Sequence, residues 1–241
     1  MEGYESQDGR VLEQNSFRFG DYDISYALCS YGDVIKNFYD SGKLGMLIAD
    51  TMGHDAETGK DFADYIDENI RPEGWGTGPD AEKELSALSE RFPRDDSEYL
   101  PSSPWKPVGA FLRLDKDSGL EQIAFGGIEK PIYVHSDGKT ETLDLRGYLD
   151  LYDTAEHSPC HKIDMKSGDM LLLSSDGMKD NMEAHGYKDP QADIGTLLEY
   201  NRQNGAEDIV STITDSRGFG SRWLPQDEKD DDISLILVKK L

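Results

Sequence analysis

Apolar positions in this chain fall into two rhythms, the two-residue step of strands and the three- or four-residue step of helices. "DISYALCSYGD" (residues 23 to 33) alternates loosely, as a strand with one buried face does, and Asp33 closes that region. Asp40, Ser41 and Gly42 read as a hairpin turn. Leu44 to Ala49 then form a nearly continuous apolar run, the pattern of a strand buried on both faces, which leads straight into Asp50.

Phe62, Ala63, Ile66 and Ile70 recur at helical steps, predicting a helix over residues 56 to 70. A second helix is predicted from Asp80 as N-cap, with Leu85, Leu88 and Phe92 on its inner face. From Val108 the pattern returns to strands, "VGAFLRL", "LEQIAF", "PIYV" and "TETLDL", separated by Asp/Gly-rich turns and read as a β-meander. "DMLLLSSDG" (169 to 177) repeats the earlier device, an apolar strand running into Asp176 and Gly177. Helical patterns at Ile194 to Tyr200 and Ala206 to Ile213 precede an acidic loop, "PQDEKDDD", and a last strand, "ISLILVKK". The layout predicts one α+β domain over residues 23 to 241 behind a polar leader, residues 1 to 22.

Composition narrows the classes of function. Lys and Arg total 25 against 49 Asp and Glu, a formal charge of -24, which opposes nucleic acid and anionic membrane as long-range partners. Neither a secretory signal nor a membrane-length apolar run is present, so a cytoplasmic location is expected. Cys29 and Cys160, the two cysteines, are too isolated for a disulfide framework.

The acids raise the main question. Asp33, Asp50, Asp176 and the Asp230 to Asp232 run each adjoin an apolar or β-rich segment, far apart in sequence. Taken singly, each is a turn residue, since Asp beside Gly is the commonest turn chemistry. Taken together, neighbouring strands would crowd the carboxylates, which then repel one another and take up protons unless cations are present. An all-oxygen donor set favours Mg²⁺ or Mn²⁺ over Zn²⁺. Both readings stand on the residues alone.

"YGDVIKNFYD", "LIADTMGHDAETG", "LLLSSDGMKDN" and "DDISLILV" stand in the order and approximate spacing of the SpoIIE-type branch of the metal-dependent protein phosphatases (PPM, type 2C serine/threonine phosphatases), which the chain resembles over about residues 23 to 239. The resemblance implies a four-layer α-β-β-α sandwich of two antiparallel sheets flanked by helices. It implies two Mn²⁺ or Mg²⁺ ions at a sheet edge, with Asp50 bridging both, Thr51 lending its backbone carbonyl, and Asp33, Asp176 and Asp231 as further ligands. Two such ions about 3.5 to 4 Å apart activate a water for in-line attack on phosphorus. The implied activity is hydrolysis of phosphoserine or phosphothreonine on a regulatory protein, for which an anti-sigma-factor antagonist is the expected substrate; with only a short leader before Asp23, regulation is expected from a separate partner or from metal supply.

Departures from the family pattern keep a rival reading in view, a catalytically weak or inactive pseudophosphatase serving as a regulatory protein-binding module. Thr51 stands where Gly is usual, and Asp55 and Glu57 replace small residues. Met52 occupies the place of a general-acid His; His54 reads as a turn residue, and Arg18 is a guess at a phosphate contact. An acidic Ca²⁺-binding structural domain is a third reading. "HSPCH" (157 to 161) lacks a fourth ligand for Zn²⁺ and reads as an exposed loop. Gly126-Gly127 lacks the sequel of a nucleotide loop. Trp75 and Trp105 receive no role.

Overall fold

The computed structural model describes residues 11–40, 42–50, 61, 64, 68, 108–116, 120–126, 129–143, 160–225 and 230–241, with residues 40, 108, 120–126 and 160 described by backbone alone. The chain divides into two compact units. One comprises Met1–Ser30, Glu129–Asp144 and Asp164–Leu241; the other comprises Tyr31–Ile128 and Leu145–Ile163.

The first unit holds a six-stranded antiparallel sheet. Its strands are β1 (Glu13–Phe19), β2 (Tyr22–Cys29), β7 (Ile132–Val134), β8 (Thr140–Thr142), β10 (Met170–Ser174) and β11 (Ile233–Lys240), in the spatial order β1-β2-β11-β10-β7-β8. Three α-helices belong to the same unit: α1 (Gly177–Ala184), α2 (Pro190–Asn201) and α3 (Ala206–Ile213). The second unit holds a five-stranded antiparallel sheet of β3 (Val34–Asp40), β4 (Lys43–Asp50), β5 (Val108–Asp115), β6 (Leu120–Gly126) and β9 (Cys160–Ile163), ordered β3-β4-β5-β6-β9. The class is therefore α+β with two antiparallel sheets, as the family resemblance implies.

Burial explains the rhythms. In β10 and β11 the residues Met170, Leu172, Ile233, Leu235 and Leu237 join a core with Met178 and Met182 of α1, Ile194 and Leu198 of α2, and Ile209, Val210 and Ile213 of α3. The intervening Leu171, Leu173, Ile236 and Val238 are equally buried, so these strands show no alternation at all. Trp223, with no exposed surface, donates its indole N–H to the Ile213 carbonyl (3.1 Å), which ties the segment after α3 to that core. In the second unit Leu44 and Met46 to Ala49 are wholly buried, as their unbroken apolar run requires. The β3–β4 hairpin closes at Asp40↔Lys43, where Gly42 takes φ +87°, a conformation that disfavours a side chain.

Four features depart from the sequence reading. Glu13–Phe19, within the polar stretch ahead of residue 23, forms β1; as an edge strand with mostly exposed or half-buried side chains it has no need of an apolar pattern. The strands from Val108 onward form two hairpins in different sheets, β5–β6 in one and β7–β8 in the other, rather than a meander. Cys160 and His161, read as loop, lie in β9 against β6. Helix α1 directly follows Asp176, where the Asp-Gly signal suggested a turn. Of the helix over 56 to 70, Asp61, Asp64 and Glu68 are helical and exposed; the rest of it and the helix from Asp80 lie outside the described residues. Trp75, Trp105 and Gly127 lie outside them too.

Candidate metal centre

In the first unit, β10 and β11 run antiparallel and bring Asp176 and Asp231 to the same end of their ladder, which closes with Ser174↔Leu235. Beyond that pair Ser175 N–H donates to the Ser234 carbonyl (2.9 Å), and Ser234 N–H donates to Ser175 Oγ (3.0 Å). Gly177 then packs against the incoming strand. A Cβ at this position would lie 2.0 Å from the Asp232 carbonyl oxygen and 3.1 Å from Asp231 Cβ, so the "SDG" sequence needs its glycine for close backbone approach.

Asn181, one turn into α1, fixes the acid opposite. Its Oδ1 accepts the Asp231 N–H (2.8 Å) and its Nδ2 donates to the Asp231 carbonyl (3.1 Å) and the Trp223 carbonyl (3.0 Å). Asp231 Oδ1 accepts the Asp232 N–H (2.9 Å), while the buried Asp232 carboxylate accepts a hydroxyl bond from Ser30 (2.9 Å). Asp176 occupies the N-cap position of α1, yet its carboxylate makes no capping bond. The usual structural use of an N-cap Asp is thus not its use here.

Charge accumulates at this end of α1. Burial, then the neighbouring Asp176 charge, pushes the Asp180 carboxyl above its ordinary value of 3.8. Lys179 shows the converse: burial alone would lower its ammonium, but Glu129 at 3.4 Å outweighs that and holds it above 10.5.

The second unit carries the other two acids. Asp33 precedes β3 instead of ending β2, because Ser30, Tyr31 and Gly32 break the strand region in two. The β3–β4 register pairs Val34 with Ala49, so Asp33 and Asp50 stand opposite one another at one end of that hairpin. Both are buried, at 4% and 8% exposure, an expensive place for carboxylates. Thr51, Met52, His54, Asp55 and Glu57 lie outside the described residues. Arg18 is exposed in β1.

Each unit therefore assembles one pair of acids. Among the described residues, no group of three or more His, Cys, Asp or Glu side chains forms a ready metal cluster. The donor chemistry of the two pairs is all oxygen and fits a hard divalent cation. The sequence pointed to Asp33, Asp50, Asp176 and Asp231, but not to Asn181, Ser30 or Asp232, whose parts depend on register. Only the Asn at the fifth place after "SD" in "SDGMKDN" could have hinted at the first of these.

The family model for Stage II sporulation protein E (SpoIIE) matches residues 108–240, a stretch that includes Asp176, Asn181 and Asp231. The chain belongs to the SpoIIE family. Solved structures carry the fold further than that SpoIIE match. The PP2C phosphatase domain and a regulatory fragment of SpoIIE from Bacillus subtilis aligns with a TM-score of 0.65 at 13% identity, over 96% of this chain and 70% of the other. RsbX in complex with magnesium gives 0.60 at 14%, over 94% and 98%. The RsbU and RsbW domains of a Mycobacterium tuberculosis protein give 0.61 at 18%, over 91% of this chain but 61% of that one, so this chain spans less than two thirds of that protein. The SpoIIE-family chain thus has the PP2C phosphatase fold. No curated protein sequence matches it. No helix among the described residues is long and apolar enough to cross a membrane.

Proposed function

We propose that this protein is a metal-dependent serine/threonine phosphoprotein phosphatase acting on a phosphorylated regulatory protein in the cytoplasm. The observation that carries the reading is the juxtaposition of Asp176 and Asp231 inside the SpoIIE-matched stretch, with the N-cap carboxylate withheld from its own helix. Asp33 and Asp50, opposite one another at the end of the β3–β4 hairpin and both buried, are the further ligands that the family pattern implies. Asp33, Asp50, Asp176, Asp231 and the Thr51 carbonyl would hold two Mn²⁺ or Mg²⁺ ions.

Those ions supply, when bound, the positive charge that admits a phosphate dianion to an acidic protein and acidifies a water for attack. The chain's own residues do the positioning. Asn181 fixes the backbone of Asp231 from both sides, Gly177 lets the two acidic segments approach, and Ser30 with Ser175 steadies Asp232. Protein substrates fit the company the fold keeps, since RsbU and RsbW domains and a stressosome component are among its structural neighbours. An anti-sigma-factor antagonist is the first substrate class to try, and a separate partner is the expected regulator.

The test is hydrolysis of p-nitrophenyl phosphate and of a phosphoserine protein with Mn²⁺ or Mg²⁺ in turn. Activity should vanish on chelation and fall at least a hundredfold in Asp50→Asn and Asp176→Asn. Calorimetric Mn²⁺ titration of Asp231→Asn should show reduced affinity or stoichiometry. A folded wild type silent with every metal would replace this reading with the pseudophosphatase one.

A further inference from the structure

Asn204-Gly205 is the one Asn-Gly dipeptide in the sequence, and it lies in the short connection between α2 and α3. Asn is among the thermolabile residues, and a following Gly leaves the backbone nitrogen next to its side-chain amide unshielded by any Cβ. Among the described residues the Gly205 N–H makes no hydrogen bond, and Asn204 is exposed. Asn204 Nδ2 donates to Asn201 Oδ1 (3.2 Å) at the surface, where departing ammonia has a way out to solvent.

Lys239 supplies the remaining element. From β11 its Nζ donates to the Asn204 carbonyl (2.6 Å) and to the Arg202 carbonyl (2.7 Å). The Asn204 carbonyl belongs to the same peptide group as the Gly205 N–H. When a base takes that proton, the negative charge spreads over the nitrogen and this oxygen, and the ammonium stabilises it as the donors of an oxyanion hole stabilise developing charge. We propose that Asn204 is a site of spontaneous modification, at which the Gly205 nitrogen closes on the side-chain carbonyl to a succinimide that water opens to isoaspartate or aspartate. The Gly205 N–H proton passes to solvent base as the N–Cγ bond forms; the Cγ–Nδ2 bond breaks, and ammonia leaves with a proton from water. Water then adds to one ring carbonyl. Cleavage of the N–Cγ bond gives aspartate, and cleavage of the original peptide bond gives isoaspartate.

The products differ in their effect on the fold. Aspartate adds one negative charge and leaves the main chain unchanged. Isoaspartate inserts a methylene into a link pinned at both ends, by Lys239 on the Arg202 and Asn204 carbonyls and by Asp23 Oδ2 on the Ala206 N–H (2.9 Å). Part of that clamp must release, which loosens the start of α3, whose Ala206, Ile209 and Val210 belong to the core. The inference is independent of the phosphatase reading, since none of the four paired acids takes part.

The test holds the full chain at pH 7.4 and 37 °C and follows it over weeks by peptide mapping. The segment containing Asn204 should gain the mass difference between NH and O and accept a methyl group from an isoaspartyl methyltransferase, ahead of every other Asn. Gly205 has φ −66° and ψ 160°, and a Cβ there would lie 3.4 Å from its nearest neighbour, Asp23 Oδ2, so Gly205→Ala fits the fold while shielding the nitrogen. It should slow the gain at least tenfold. Lys239→Met should slow it several-fold, and Lys239→Arg, which keeps the cation, should slow it less. The isoaspartate fraction should melt below Asn204→Asp, which carries the charge without the extra methylene. An unchanged Asn204, a wild-type rate in Gly205→Ala or Lys239→Met, or a faster gain in urea than in the native chain would overturn the proposal. The comparison in urea uses the wild type alone and needs no variant to fold.

Discussion

Replacing Asp169 by Asn should destabilise the first unit by about 3 kcal/mol at neutral pH, although it changes one atom. Asp169 is 2% exposed and gathers three donors: Tyr133 Oη (2.5 Å) and the Lys166 N–H (2.7 Å) on Oδ2, and the Ser136 N–H (2.7 Å) on Oδ1. The least harmful amide orientation directs its NH₂ at the Ser136 N–H, which loses that bond. The other two change from charge-assisted to neutral acceptors, each weaker by about 1 kcal/mol, and the orphaned amide adds roughly 1 to 2. Burial alone would raise the Asp169 carboxyl, but the Tyr133 hydroxyl and the two backbone donors outweigh it and hold the pKa below its ordinary 3.8. A depressed carboxyl pKa stabilises the fold above the unfolded-state value and ceases to do so as pH falls through the folded one. Urea unfolding at a series of pH values should therefore show a gap between wild type and Asp169→Asn that is constant from pH 7 to 5 and shrinks below about pH 4. Equal midpoints at pH 7, or a gap indifferent to acid, would refute the accounting.

Asn181→Ala should lower stability by roughly 2 to 4 kcal/mol in thermal unfolding, since the Asp231 N–H and two carbonyls lose their partner. The same variant should bind Mn²⁺ more weakly by calorimetry. Gly177→Ala inserts a methyl 2.0 Å from the Asp232 carbonyl and should remove most of the proposed phosphatase activity while far-UV circular dichroism stays native. Trp223→Phe removes the bond to the Ile213 carbonyl and leaves unfilled volume, for a loss of about 2 kcal/mol in urea titration.

Buried strands were the most legible part of the chain. Leu44–Ala49 and Leu171–Leu173 are apolar without interruption because both of their faces are buried, and α3 carries its apolar face at helical spacing over Ala206–Ile213. Edge strands were not legible. β1 and β8 bury little, so their composition does not separate them from loops, and β8 has three residues. The two sheets could not be told apart in advance, because hairpin signals at Asp115–Leu120 and His135–Lys139 specify local pairing and are silent about which sheet each hairpin joins. Asp176 and Asp231 were visible as acids beside buried strands. Their juxtaposition came from the β10–β11 register and from the glycine between them and Asn181, which no local pattern encodes.

The position of β11 has a bearing on biosynthesis. It lies between β2 and β10, so β2, which ends at Cys29, meets this neighbour only after the chain has been translated on as far as Ile233 and beyond. At usual elongation rates of about 5 to 20 residues per second, β2 waits roughly 10 to 40 s with one hydrogen-bonding edge open on the ribosome. Nascent chains stalled before Ile233 should recruit holdase chaperones, and those released beyond Lys240 should not.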